Sequence, residues 1–139
     1  MNHCQAGHEP HKRITVPSIQ GDFLIYNYKQ YMGFNGYCTG QDDVSRTIDL
    51  YGKWDEDVYQ CILSILETAK PGGVFIDIGC HIGWFSKLVS EKGFIVKSFD
   101  GESENLILAE VNAPNAVYTN LWFDEKIELL GSVYECELM

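Results

Sequence analysis

The residues of this chain whose types and spacing could do chemistry lie between Asp77 and Asp100. Both are carboxylates at the end of an apolar run, and the first sits in the stretch 74–86, VFIDIGCHIGWFS, where Gly79 and Gly83 bracket Cys80 and His81. Glycine lets backbone approach a ligand closely, and a helix start offers N–H groups with no intrahelical partner. A carboxylate at a strand end can accept hydrogen bonds from both hydroxyls of a ribose. The pattern therefore suits a nucleotide-like ligand. Its spacing, D-x-G-x-x-x-G, differs from the dinucleotide fingerprint G-x-G-x-x-G, because His81 stands where the second glycine would admit a pyrophosphate. A ligand without a pyrophosphate is expected. Histidine titrates near neutral pH, so His81 is either a base beside the ligand or a loop residue that caps the next helix. No catalytic residue is assigned.

The elements that must position these groups read as alternating strands and helices. Val74 to Ile78 has the length and β-branched content of a buried parallel strand, and an apolar helical pattern runs from Ile82 to Glu91. Phe94 to Phe99 is the next strand, ending at Asp100 and Gly101. A helix follows in ESENLILAEVNA, with a core face of Leu106, Ala109 and Val111, and Ala116 to Phe123 is the third strand. The runs 126–130 and 133–138 flank Gly131-Ser132 as a β-hairpin. Ahead of the first strand, Asp55 is the N-cap of a helix whose apolar face is Val58, Ile62, Ile65, Leu66 and Ala69, ended by Pro71 and Gly72. Further upstream, Gly21 to Tyr28 reads as a strand, 33–40 as a turn-rich interruption, and Asp42 and Asp43 cap a short helix that runs to Tyr51 and stops at Gly52. Residues 1–20 are expected to be a mobile tail and 21–139 a single domain. The fold expected is an α/β sandwich with a partial parallel sheet, the strand at 74–78 innermost, and right-handed crossovers.

A chain of 139 residues has room for one domain with a modest core, and 45% hydrophobic with 13% aromatic residues excludes a disordered chain. A net charge of -10 argues against a nucleic-acid partner. No apolar run is long enough to span a bilayer and the N-terminus has no apolar signal region, so a cytoplasmic location and no membrane partner are expected. The five cysteines are odd in number and scattered, which argues for reduced thiols. His3, Cys4, His8 and His11 lack the paired spacing of a metal site, and none is expected.

At 74–86 the sequence resembles the class I S-adenosylmethionine-dependent methyltransferases, and within them the FkbM-type family. Asp77, Gly79, Ile82, Gly83 and Ser86 match that family's VxDxGAxIGxxS stretch, while Cys80 and His81 replace Ala and Asn. The resemblance runs from about Tyr51 to Asp124. It implies a three-layer Rossmann-like methyltransferase fold, with S-adenosylmethionine or S-adenosylhomocysteine held by Asp77, Gly79, Cys80, His81, Gly83 and Trp84 on the methionine side. Asp100 and Gly101 would meet the ribose, although the family carries Glu-Pro there. Asn120 and Leu121 would stand near the adenine, with Trp122 as an alternative or as core. Trp54 and Asp55 occupy the family's aromatic-acidic pair, whose acidic member would face the ligand's ammonium; alternatively they are a buried aromatic beside a helix cap. Asn105 and Asn112 fall at the ends of its N-x-x-x-L-x-x-N pattern.

The resemblance covers the cofactor half of such a fold, and the chain is expected to be truncated after its third strand plus a hairpin. Three functions follow: a minimal methyltransferase acting on an unidentified acceptor, by resemblance a hydroxyl; a non-catalytic cofactor-binding or interaction module; or an enzyme that degrades the cofactor. Val74, Phe75, Ile76 and Ile78 look built for burial on both faces beside an open edge, so a homo-oligomer is expected, a dimer first and a trimer second.

Overall fold

The computed structural model describes residues 9–19, 21–27, 29–30, 38–39 and 41–121. The chain divides into two compact units, Met1–Trp54 and Asp55–Met139.

In the first unit, β1 (His11–Thr15) pairs antiparallel with β2 (Asp22–Tyr26), His11 opposite Tyr26 and Thr15 opposite Asp22. Phe23, Ile25 and Tyr26 are fully buried, as is Ile48 of α1 (Asp43–Tyr51). That helix starts as its sequence dictates: the Asp42 side chain accepts the Ser45 N–H at 3.0 Å, satisfying one of the donors that a helix start leaves open. It ends at Gly52, whose φ of 73° is the left-handed cap that glycine adopts without a Cβ penalty. Ser45 in turn accepts the Tyr26 N–H at 3.1 Å, and Lys12 meets Asp49 at 2.7 Å, so helix and hairpin are tied at two points. Two short strands, β3 (Lys29–Gln30) and β4 (Cys38–Thr39), pair antiparallel.

The second unit runs α2 (Glu56–Leu66), β5 (Val74–Ile78), α3 (Trp84–Ser90), β6 (Ile95–Asp100), α4 (Ser103–Asn112) and β7 (Val117–Asn120). The three strands form a parallel sheet in the order β5-β6-β7, with Val74 opposite Ile95 and Lys97 opposite Val117. Period-two alternation puts Phe75, Val96 and Tyr118 on one face. There they pack with Ile62, Val58 and Leu66 of α2 and with Val89 and Phe85 of α3. The Tyr118 hydroxyl lies 2.9 Å from the Ala109 carbonyl and 2.8 Å from that of Ala113, so a strand side chain satisfies the end of α4.

Several expectations change. The strand at 74–78 is not buried on both faces: Val74 is 44% and Ile78 58% exposed, and Ile95 and Val117 beside them are 52% and 60% exposed. These four share the face opposite the core, which none of the second unit's described helices covers. The segment expected as a tail contains β1, because a polar strand can lie along β2 while Val16 and Ile19 after it are buried. The single domain expected over 21–139 is divided near Trp54. The helix read from Ile82 begins at Trp84, because Gly83, with φ 88°, serves as its N-cap. On α4 the buried face is Asn105, Leu106, Leu108, Ala109 and Asn112, while Val111 is 44% exposed; two asparagines occupy core positions that a search for apolar periodicity passes over. Cys61 is disulfide-bonded, against the reading of reduced thiols. The C-terminal hairpin, Trp122, His3, Cys4 and His8 also lie outside the described residues.

Candidate functional site

The turn after β5 is built by its backbone. Gly79 and Cys80 both donate their N–H groups to the Phe99 carbonyl, at 2.7 and 2.9 Å, and Gly83 N–H reaches back to the Cys80 carbonyl at 2.9 Å. Gly79 (φ 80°), His81 (φ 52°) and Gly83 (φ 88°) all take left-handed conformations. The two glycines do different work. A Cβ at Gly79 would meet nothing within 4 Å among the described residues, so they leave open space over that backbone. A Cβ at Gly83 would stand 3.1 Å from both Cα and Cβ of Ala109, so Gly83 lets the start of α3 lie against α4.

His81 pays a steric cost for its backbone conformation and is held there by donating its N–H to Asp100 Oδ1 at 3.2 Å. Asp100 is the node of the site. Its Oδ2 accepts the Glu102 N–H at 3.0 Å and the Asn105 side-chain amide at 3.2 Å. A carboxylate offers about four acceptor positions, so the three donors among the described residues leave roughly one.

Asp77 is bonded to α3 instead. It shares the helix-facing side of the sheet with Ser98, its partner in register, and is buried. Ser86 Oγ donates to Asp77 Oδ2 at 2.9 Å and stands 2.6 Å from Ser98 Oγ. Burial pushes the Asp77 carboxyl up to about 6, the Ser86 hydrogen bond opposes this, and the charge of Asp100 adds to it. Cys80 is 5% exposed, and burial, then the charges of Asp77 and Asp100, push its thiol well above the ordinary range. The thiol stays protonated at neutral pH and is no nucleophile.

Of the residues singled out from sequence, the fold gathers three groups at the carboxyl ends of the parallel strands. Gly79 to His81 follow β5, Asp100 and Gly101 end β6, and Asn120 and Leu121 end β7. Leu121 N–H donates to the Asp100 carbonyl at 3.0 Å, and the Asn120 side chain donates to Ser103 Oγ at 2.8 Å. Trp84, expected at the ligand, is 3% exposed at the start of α3. Trp54 closes the first unit and Asp55 opens the second; Asp55 is the N-cap of α2 by position, with φ 48° and no side-chain capping bond. Sequence reasoning did not see what Asn105, Asn112 and Ser98 do. The available signal was the two asparagines seven apart, two helical turns, and hence on one face of α4. Among the described residues no group of three or more His, Cys, Asp or Glu side chains could hold a metal ion, and no helix is long and apolar enough to cross a membrane.

Parallel strands joined by helices, with a glycine turn after the first and a carboxylate ending the second, define a Rossmann-like α/β fold. The chain is similar to the tRNA (uracil-54, C5)-methyltransferase of Pyrococcus abyssi in complex with S-adenosyl-L-homocysteine, at a TM-score of 0.50 and 16% identity over 88% of this chain and 26% of that one. It is also similar to a TehB-like SAM-dependent methyltransferase from Corynebacterium glutamicum, at a TM-score of 0.46 and 21% identity over 54% of this chain and 39% of the other. The chain thus spans less than half of either structure. No protein-family model matches the sequence, and no curated protein matches it. The fold is therefore a Rossmann-like α/β fold.

Proposed function

We propose that the second unit binds S-adenosylmethionine and S-adenosylhomocysteine, and that the chain is the cofactor-binding part of a methyltransferase of the kind its FkbM-type motif resembles. The observation that carries this is the open space over Gly79 beside Asp100, whose carboxylate keeps one acceptor position. A ligand's methionine portion would lie along the Gly79 backbone, a ribose hydroxyl would meet Asp100, and the adenine would lie towards Asn120 and Leu121. Asp77 would act from beneath, holding the turn through Ser86 rather than touching the ligand. When bound, the cofactor would supply a methyl group activated on a sulfonium; this chain's residues would bind and orient it. The acceptor proposed is a hydroxyl, and no base is assigned to it.

A second reading, a binding module without catalysis, is favoured by one specific observation. Asp77 and Cys80 are both turned inward, so neither can serve an acceptor. Incubation with S-adenosylmethionine labelled in its methyl group separates the two: transfer of label to lysate components supports the enzyme, and binding without transfer supports the module.

Binding itself is tested by calorimetry with S-adenosylhomocysteine. Asp100→Ala removes a hydrogen bond to a charged acceptor and should cost about 1.5–3 kcal/mol, and Gly79→Val should fill the open space and abolish binding. Unchanged affinity in both variants would refute the site. The exposed apolar face of Val74, Ile78, Ile95 and Val117 supports self-association as part of the same proposal. Light scattering should give a dimer mass, and a strictly monomeric mass would exclude it.

A further inference from the structure

Asn105 stands in the first turn of α4, 3% exposed, and is a polar residue in a core position. Its side-chain nitrogen has two hydrogens. One is directed to Asp100 Oδ2 at 3.2 Å and the other to Glu102 Oε2 at 3.4 Å. The amide is thus set between two carboxylates, and this fixes which way it faces, because its oxygen turned to the same place would oppose both.

The effect on Asp100 is asymmetric. Oδ2 receives two donors, the Asn105 amide and the Glu102 N–H, and is filled from within the protein. Oδ1 receives one, the His81 N–H of the glycine turn. The acceptor position that remains therefore belongs to Oδ1, the oxygen bonded to the turn that Gly79 opens. Were Asn105 absent, Oδ2 would keep only the Glu102 N–H and either oxygen would present a lone pair.

We infer that Asn105 is a positioning residue for ribose recognition: it locks the Asp100 carboxylate so that Oδ1 accepts one ribose hydroxyl, and one only. This rests on the cofactor reading above. It departs from the expectation that the carboxylate spans both hydroxyls, for which two open acceptor positions are needed. The shorter side chain of Asp100 and the donors crowding Oδ2 give the site a single-hydroxyl geometry.

The test uses the full chain and three probes in calorimetry: S-adenosylhomocysteine, its 2′-deoxy analogue and its 3′-deoxy analogue. In the wild type, one deoxy analogue should bind about tenfold or more weakly than the parent and the other within about threefold. In Asn105→Leu, which keeps the volume and removes the donors, all three should bind within about threefold of one another. Asn105→Ser, too short to reach Oδ2, should behave in the same way and serves if the leucine variant does not fold. A residue that merely stabilised α4 would weaken all three probes together and leave their ratio unchanged, so retention of the wild-type ratio in the variants overturns the inference. Equal loss with both analogues in the wild type overturns it as well. Failure of the wild type to bind S-adenosylhomocysteine at all is a separate result, and removes the cofactor reading together with what rests on it.

Discussion

Asn112 donates its side-chain amide to the Ile82 carbonyl at 2.8 Å, joining the last turn of α4 to the residue before Gly83. Asn112 is 2% and Ile82 0% exposed, so neither group has water as an alternative partner. Asn112→Leu should leave a buried carbonyl unsatisfied and destabilise the second unit by about 1–3 kcal/mol. Urea unfolding followed by circular dichroism measures this, and an unchanged midpoint would show that the bond carries no net stability.

Gly83→Ala and Gly79→Ala should separate packing from access. Both place an L side chain at positive φ, at a cost of about 1–2 kcal/mol. Only at Gly83 does the new methyl also press on Ala109, 3.1 Å away, adding about 1–3 kcal/mol of overpacking. The Gly83 variant should therefore melt lower than the Gly79 variant in differential scanning calorimetry; equal melting temperatures would contradict the division of roles between the two glycines.

The Asp77 carboxyl, ordinarily at 3.8 and pushed up to about 6 by burial, makes stability depend on pH in an unusual sense for an acid. The folded state holds this proton more tightly than the unfolded state does. The contribution is fully present below 3.8 and is lost as pH rises through about 6. Asp77→Asn keeps an acceptor for Ser86 without the buried charge. It should raise stability at neutral pH, by about 3 kcal/mol at most, and flatten the stability profile across that window. A variant with the wild-type profile would show that the pH dependence originates elsewhere.

Cys80 and Cys61 should differ in reactivity. Native protein treated with iodoacetamide at about pH 8 should leave Cys80 unlabelled, because its thiol is buried and protonated, and label it fully once unfolded. Peptide mapping without reductant should recover Cys61 in a disulfide-linked pair. Rapid native labelling of Cys80 would mean that the turn opens readily.

The strands of the second unit and the helices of both units were legible in the sequence because each is signalled locally. The run at 74–78 is apolar and β-branched, glycine stops it, and Asp42 and Gly52 mark the ends of α1 by side-chain and backbone chemistry that acts over three or four residues. The parallel order of the strands followed from their alternation with helices. What could not be read was which way each polar side chain turned. Asp77 and Asp100 are the same residue type near the ends of neighbouring strands, yet the first is buried and bonded to Ser86 of α3, while the second, two residues further along the register, is bonded to the glycine turn and to Asn105 of α4. Gly79 and Gly83 are likewise indistinguishable until Ala109 arrives from a helix 26 residues further on. Such contacts depend on the packing of α4, whose core face includes two asparagines, and no local pattern encodes them.

The Tyr118 hydroxyl has a single proton to share between the carbonyls of Ala109 and Ala113. The boundary of α4 is therefore fixed from outside the helix, by a residue of the following strand, where no glycine stop exists. Helix and strand are latched to each other within the segment that runs from Asn105 to Asn120. In native-state hydrogen exchange, the amides of the final turn of α4 would open together with those of β7 as one cooperative segment, while the first turn, anchored at Asp100, would follow the glycine turn instead.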